Sequence, residues 1–313
     1  MKLEKTYKYS VVIPHYNDVF RLERLLNSIC YIDNKIEVIV VDDASLDEKE
    51  LISLQDKWNK VTFLSTGENK GAGAARNIGL EHAHGEFLLF ADADDEFLPN
   101  AFYILDKKVN DSDDITYFLA NAWQEESNRP SVRADSFNKL CNDYIETPNQ
   151  DKLLNLKLGH CVPWAKVYKM DFIKKTKIKF DETLVSNDVY FNVINAVLAK
   201  KIAVYPDVIY KVYRLADSLT STTTPERLIQ RVEVSAKTAD KLFELGFPKR
   251  RSASGYVLES VNYGIPTFFK VLHIAINSKL KLNLFRVFEP KRWWFFFGRK
   301  WNLKQEKRNH KNR

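Results

Sequence analysis

The sequence predicts an α/β protein: a mostly parallel central sheet with flanking helices, followed by a basic, aromatic helical extension. Three observations predict it. Short Val/Ile/Phe runs alternate with segments of helical periodicity over the first hundred residues. Three of those runs end in polar clusters, as strand ends at the ligand edge of an open sheet do. The charge is also unevenly divided. The 313 residues carry 48 Lys and Arg against 41 Asp and Glu, a net +7. Residues 269–313 hold 13 Lys and Arg against 2 acids, or +11, which leaves the rest with 35 against 39, or −4. An acidic body argues against a nucleic-acid-binding core, and no nucleic acid is expected as a partner.

Residues 9–13 read as a strand stopped by Pro14. Phe20, Leu22, Leu25, Leu26 and Ile29 then recur at helical spacing. Residues 36–41 form a continuous apolar run, too short for a helix and rich in Val and Ile, as buried parallel strands are. Residues 61–64 read as a third strand, 73–83 as a helix closed by Gly85, and 87–91 as a fourth strand. Pro99 suits the first turn of a further helix. Residues 115–120 read as another strand, whereas 124–150 are polar and show no clear periodicity. A helix is expected after Asn187-Asp188, a strand over 204–213 and a helix over 225–245. Three segments are expected: 1–110, 111–268 and a basic, aromatic tail over 269–313. The N-terminal residues MKLEKTYKYS lack the apolar core of a secretory signal, and no apolar run reaches 18 residues. Cys30, Cys141 and Cys161 have neither the number nor the spacing of a disulfide framework or zinc site.

The polar strand ends are Pro14-His15-Tyr16-Asn17, Asp42-Asp43-Ala44-Ser45 and Asp92-Ala93-Asp94-Asp95. Asp92 and Asp94 offer two hard oxygen donors one residue apart, suited to Mg²⁺ or Mn²⁺ together with substrate phosphates. A solvated acidic loop before a helix would read the same way. Asp42 and Asp43 suit a base N–H or a ribose hydroxyl, or simply a turn. Tyr16 suits stacking on a base. Residues 69–79 carry a Gly-x-Gly, but Arg76 stands where a dinucleotide fingerprint needs its third Gly. Small residues there serve close approach of a nucleotide or close helix–sheet packing.

VVIPHYN, VIVVDDASLD, NKGAGAARNIGL and FLLFADADD, in this order and spacing, resemble the nucleotide-binding half of family 2 glycosyltransferases over about residues 9–105. The resemblance continues more loosely through Val162-Pro163-Trp164 to Tyr168, Phe180-Asp181-Glu182, Asn187-Asp188 and Tyr213-Arg214. It implies a GT-A fold, Rossmann-like in its first half, and transfer of a sugar from a nucleoside diphosphate, with UDP favoured. Pro14, Tyr16, Asp42, Asp43 and Arg76 would hold the nucleotide, Asp92 the ribose or metal, Asp94 the Mn²⁺ or Mg²⁺, and Arg214 the diphosphate. Asp188 falls where the family has the Asp of a Glu-Asp pair, its catalytic base; the preceding residue here is Asn187. A helix cap is the simpler role for Asp188. His160, Trp164 and Tyr190 are candidates to meet acceptor sugar faces, although the first two are common core residues.

In the tail, Trp293, Trp294, Phe295, Phe296, Phe297 and Trp301 lie among Lys291, Arg292, Arg299 and Lys300. Rings beside cations suit an anionic lipid surface. The expectation is peripheral attachment to the cytoplasmic face of the membrane, with a lipid-linked glycan as acceptor, as in bacterial capsule or lipooligosaccharide assembly. The alternative for the tail is a helix packed on the body. The rival functions are a nucleotidyltransferase, whose Gly-rich phosphate loop near the first strand is absent, and a non-catalytic binding module, favoured only by Asn187.

Overall fold

β1 (Tyr9–His15), α1 (Val19–Ile29), β2 (Ile36–Asp42), α2 (Glu48–Lys57), β3 (Thr62–Ser65), α3 (Ala72–Glu81) and β4 (Phe87–Phe90) alternate as the apolar pattern requires. The structure is a computed structural model that describes residues 7–29, 35–214, 224–247 and 251–283. These four strands pair in parallel in the order β3-β2-β1-β4. Every residue of β1 and β4 is buried, which explains their unbroken apolar character.

The pleat divides the core between two faces. Val11, Ile13, Val38, Val40 and Leu89 pack on the side of α1, whose Leu22, Leu25, Leu26 and Ile29 are all 0% exposed. Val12, Ile39, Val41, Leu88 and Phe90 pack on the other side with Ala75 of α3. Full burial of each such aliphatic side chain contributes about 1.5–3 kcal/mol before the entropy of ordering it is set against the gain. α3 lies close on the sheet because Gly79 has no side chain: an added Cβ would come within 2.3 Å of Val12 Cγ1.

The chain then adds β5 (Glu96–Phe97), α4 (Ala101–Lys108), β6 (Ile115–Gln124), β7 (Arg129–Pro130), α5 (Asp135–Glu146), α6 (Gln150–Gly159), β8 (Lys166–Lys169), α7 (Met170–Thr176), α8 (Val189–Leu198) and β9 (Ile202–Arg214). β8 pairs antiparallel with both β4 and β6, β9 runs parallel to β6, and β5 pairs antiparallel with β9. The sheet is thus one surface through both expected halves, and position 110 falls between two elements of the same compact unit. Residues 124–150, expected without order, contain α5 entire. α8 is apolar around most of its girth, and Phe191 stacks on Phe180 with ring centroids 4.0 Å apart. Phe191 also meets Phe90 of β4 edge-on at 5.6 Å, which fixes the start of α8 relative to the end of β4.

The second compact unit begins at Thr223 and contains α9 (Pro225–Glu244), α10 (Ser254–Ser260), a short 3-10 turn at Val261–Tyr263 and α11 (Ile265–Ile276). Its core joins Leu228, Val232, Ala236 and Ala239 of α9 to Val257, Leu258, Val271 and Ala275. The expected boundary at 268/269 therefore falls inside a packed helix, and the first part of the tail is helical and half-buried. The aromatic run from Trp293 to Trp301 lies outside the described residues. Among the described residues, no helix is long and apolar enough to cross a membrane. Cys141 and Cys161 are free thiols, the former buried.

Candidate active site

Parallel pairing brings the ends of β1, β2 and β4 to one edge. His15 lies opposite Asp42 in the register, Asp43 N donates to His15 O at 2.8 Å, and Ala91 N donates to Val12 O at 3.1 Å. The loops beyond are tightly wound: Asn17 and Ala44 have φ of 55° and 60°. Such backbone persists only where neighbours over-determine it, and here they do. Asn17 N donates to Ser45 Oγ at 2.8 Å, and Asn17 Oδ1 accepts from Leu46 N at 2.7 Å.

The two acids after β2 are engaged with the protein itself. Asp42 accepts from His15 Nδ1 at 2.9 Å and from Ser45 N at 2.9 Å. Asp18 N donates to His15 Nε2 at 3.2 Å, so Nδ1 is the protonated nitrogen that faces Asp42. Burial raises the Asp42 carboxyl, but the hydrogen bonds from His15 and Ser45 outweigh it and hold the group below the usual carboxylate range. Asp43 accepts from Lys70 N at 2.9 Å, Gly71 N at 2.7 Å and Thr66 Oγ1 at 3.0 Å, and so shapes the loop that opens α3. Pro14 is buried in β1 beside these groups, whereas the Tyr16 ring is 45% exposed.

A turn, rather than an extended segment, gathers the acids after β4. Asp95 N donates to Asp92 O at 3.0 Å, and ligand oxygens of Asp92, Asp94 and Asp95 all lie within 4.8 Å of one another. β9 and α1 hold this turn from behind. Asp92 N donates to Tyr210 Oη at 2.9 Å, Tyr213 N donates to Asp95 Oδ1 at 2.8 Å, and Arg24 donates to the Asp94 carbonyl. Burial, together with the charge of Asp92, pushes the Asp94 carboxyl up to about 6. Asp95 is raised well above the usual range by burial and then by Asp94 and Asp92. Crowded hard oxygens that resist shared ionisation fit a divalent cation, which relieves their repulsion.

Arg76 joins this turn to the segment before α8. Its guanidinium is nearly buried, at 5% exposure, and donates to Asp92 Oδ1 at 2.5 Å and to Asn187 Oδ1 at 2.9 Å. It also lies 5.4 Å from the Phe180 ring centroid. α3 approaches the same segment through Gly73, where an added Cβ would sit 1.9 Å from Asp181 O. Asn77 clamps the backbone of Phe180, donating to its carbonyl at 3.1 Å and accepting from its N–H at 2.9 Å.

Asp188 occupies the cap position of α8 but makes no side-chain capping bond, so the simpler role does not account for it. Burial raises its carboxyl to about 6; Arg76 and Lys166 oppose the shift and Asp92 adds to it. Asn187, in place of the family's Glu, completes the Arg76 contact as a neutral acceptor.

The remaining candidates divide. Arg214 is exposed at the end of β9; Ser218-Leu219-Thr220, which extended that motif, lie outside the described residues. Tyr190 is half-buried on α8. His160 and Trp164 are corrections: at 1% and 2% exposure they are core residues rather than sugar contacts. Trp164 stacks on Tyr210 at 6.1 Å, and His160 meets Phe137 at 5.2 Å. Sequence reasoning also missed Tyr210, Arg24, Asn77, Lys166 and Asn192, none of which lies at a polar strand end.

The carboxylates thus gather at the C-terminal edge of the parallel strands of an α/β sheet, with Asp188 at the start of α8 close enough to Asp92 to feel its charge. The comparisons narrow the class. The sequence profile described as Glycosyl transferase family 2 matches residues 10–176, more than half of the chain, and the chain belongs to that family. Poly(ribitol-phosphate) beta-N-acetylglucosaminyltransferase TarS of Staphylococcus aureus is 32% identical over 214 residues, 65% of this chain and 35% of that protein. GalNAc(5)-diNAcBac-PP-undecaprenol beta-1,3-glucosyltransferase of Campylobacter jejuni is 37% identical over 108 residues, 33% of this chain and 35% of that protein. The chain thus matches about a third of the length of these relatives. The crystal structure of TarS 1-349 in complex with UDP-GlcNAc superposes with a TM-score of 0.61 at 22% identity, covering 87% of this chain and 81% of that one. A mannosyltransferase from Pyrobaculum calidifontis in complex with GDP-Man and Mn²⁺ superposes with a TM-score of 0.50 at 16% identity, covering 87% and 69%. The fold is that of GT-A enzymes.

Arg76 spans two acceptors, which a point charge does not replace. Arg76→Lys is expected to lower unfolding free energy by about 1 kcal/mol or more, since it leaves one of two part-buried acceptors without its donor. Thermal or urea unfolding measures this, and an unchanged midpoint would contradict the bridging role.

Proposed function

We propose that the chain transfers a sugar from a nucleoside diphosphate, with UDP as the nucleotide, to a hydroxyl of a lipid-linked glycan, with inversion at the anomeric carbon. The observation that carries this reading is that one guanidinium, Arg76, links the acidic turn after β4 to the residue next to Asp188. TarS, whose structure with UDP-GlcNAc shares the fold, supports the choice of UDP. The Campylobacter relative's named substrate, an undecaprenol diphosphate glycan, supports a lipid-linked acceptor.

In this reading Tyr16 stacks on the base while Asp43, Asp42 and Pro14 shape the wall beside it. Arg76 borders the nucleotide, and Arg214 meets the diphosphate. Asp92 and Asp94 hold Mn²⁺ or Mg²⁺, with Asp92 also near the ribose; the cation, when bound, supplies Lewis-acid stabilisation of the leaving diphosphate. Asp188 accepts the proton of the attacking hydroxyl. A carboxyl titrating at about 6 is ionised at neutral pH yet more basic than a solvated Asp, as a general base should be. Attack on the face opposite the leaving group inverts the configuration without a covalent intermediate. Tyr190, one residue into α8, is the retained candidate for the acceptor's sugar face.

Peripheral attachment to the cytoplasmic face of the membrane belongs to the same reading. Ile265, Phe269 and Ile276 are 73%, 61% and 65% exposed and recur four and seven residues apart on one face of α11. Val271 and Ala275 on another face pack inward. An apolar stripe that leads into a strongly basic, aromatic sequence suits an anionic bilayer.

Asp188→Asn is expected to lower turnover of a UDP-sugar by about 10²–10⁴-fold, with UDP binding by calorimetry nearly unchanged. Because the base must be ionised, wild-type kcat should fall as pH drops through about 6. Full activity in the variant would remove Asp188 from the role. For the membrane, the protein should co-sediment with phosphatidylglycerol vesicles and not with phosphatidylcholine vesicles. Replacing Ile265, Phe269 and Ile276 with Glu should reduce the bound fraction. Equal sedimentation with both lipids would contradict the electrostatic part of the account.

A further inference from the structure

A buried ammonium lies directly behind α8. Lys166 of β8 is 1% exposed, yet its Nζ donates to His160 O at 2.6 Å and to Asn192 Oδ1 at 3.0 Å. It also faces the Tyr117 ring at 5.0 Å from the centroid. An ammonium is costly to bury, and packing alone would be served by Met or Leu at this position. Its placement therefore asks for a reason beyond filling space.

Asn192 supplies one. Its Oδ1 accepts from Lys166 and also from Tyr168 Oη at 2.5 Å. Two donors on that oxygen fix the orientation of the amide, because the NH₂ group could not accept from either. Nδ2 is thereby turned toward Asp188 and donates to its carbonyl at 2.8 Å; Asn192 N donates to the same carbonyl at 3.0 Å. The backbone of Asp188 is held twice by one residue. The residue before the neighbouring Asn187, Ser186, has φ of 58°, so the segment enters α8 through constrained backbone. The Asp188 side chain makes no capping bond to the helix end.

We infer that Lys166 and Asn192 form a positioning pair that fixes the backbone of Asp188, and with it the direction of the catalytic carboxylate. Lys166 orients the Asn192 amide, and Asn192 holds the Asp188 carbonyl. Neither touches substrate in this arrangement. The inference rests on the reading of Asp188 as the base. Burial lowers the Lys166 ammonium to about 7, opposed by Cys161, Cys141 and Asp188.

The test compares Asn192→Asp, Lys166→Met and Asp188→Asn with the wild type in UDP-sugar turnover. Asn192→Asp keeps the size of the side chain and its acceptor toward Lys166 and Tyr168, and replaces the donor to Asp188 O with a carboxylate oxygen that repels that carbonyl. A positioning role predicts that kcat falls by about tenfold or more in both Asn192→Asp and Lys166→Met, with donor KM and the UDP dissociation constant within about twofold of wild type. Where Lys166→Met folds poorly, Asn192→Asp decides. Wild-type kcat in Asn192→Asp overturns the inference. So does loss of UDP binding or of the folded state in that near-isosteric variant, which would show that the pair serves the fold at large. Asp188→Asn separates the two failures: turnover retained there defeats the base itself, whereas an inactive Asp188→Asn beside a fully active Asn192→Asp defeats the positioning pair alone.

Discussion

The guanidinium of Arg76 is the interaction on which the rest of the site depends, because it connects two layers of acidic groups that would otherwise repel. Asp92, Asp94 and Asp95 are gathered by one turn, and Asp188 faces the region from α8. Burial and mutual repulsion push three of these carboxyls upward. Arg76, in contact with Asp92, opposes the shift at Asp188, while Arg133 opposes it at Asp94 and Asp95. The second donor of Arg76 reaches Asn187, whose amide oxygen accepts without carrying charge. A second acid here would add charge to an already crowded site; Asn supplies the acceptor without it.

Strand ends, loops and helices serve this arrangement from outside. Asp42 and Asp43 act as tethers: one locks His15 and Ser45, the other gathers the amides of residues 70 and 71 that precede α3. Gly73 and Gly79 let α3 lie close to both the sheet and the 181–187 segment, which delivers Arg76 to its partners. β9, a strand remote in sequence, holds the acidic turn twice: Tyr210 Oη accepts from Asp92 N, and Tyr213 N donates to the Asp95 carboxylate. The charge asymmetry of the chain follows the same division. The acidic part contains the site that favours a cation, and the basic part lies beyond Phe269.

The first four strands were legible because fully buried parallel strands read as unbroken apolar runs, and because polar residues at their ends had no other place to go. α8 was legible for its apolar periodicity. α5 and α6 were less so: α5 buries only Cys141 fully, and in α6 the leucines at 153, 154, 156 and 158 do not share one helical face. The continuity of the sheet through β8, β6 and β9 depends on pairings between distant segments, which local pattern does not encode. At the site, residue types at strand ends pointed to Asp92 and Asp94, and the small-residue segment 69–79 pointed to Arg76. Lys166 and Asn192 gave no such signal, since a lone Lys in a short strand reads as solvated. His160 and Trp164 misled for the converse reason: rings suited to a sugar face are equally suited to the aromatic cluster that packs them under Tyr210 and Phe137.

The central claim is that the crowded carboxylates form a nucleotide-diphosphate site only together with a divalent cation. Calorimetric titration of UDP into the full chain, with Mn²⁺ and then with excess chelator, tests it most directly. The account predicts that affinity falls by at least about tenfold on chelation, and that this metal dependence disappears in Asp94→Asn. Equal UDP affinity with and without the cation would contradict it.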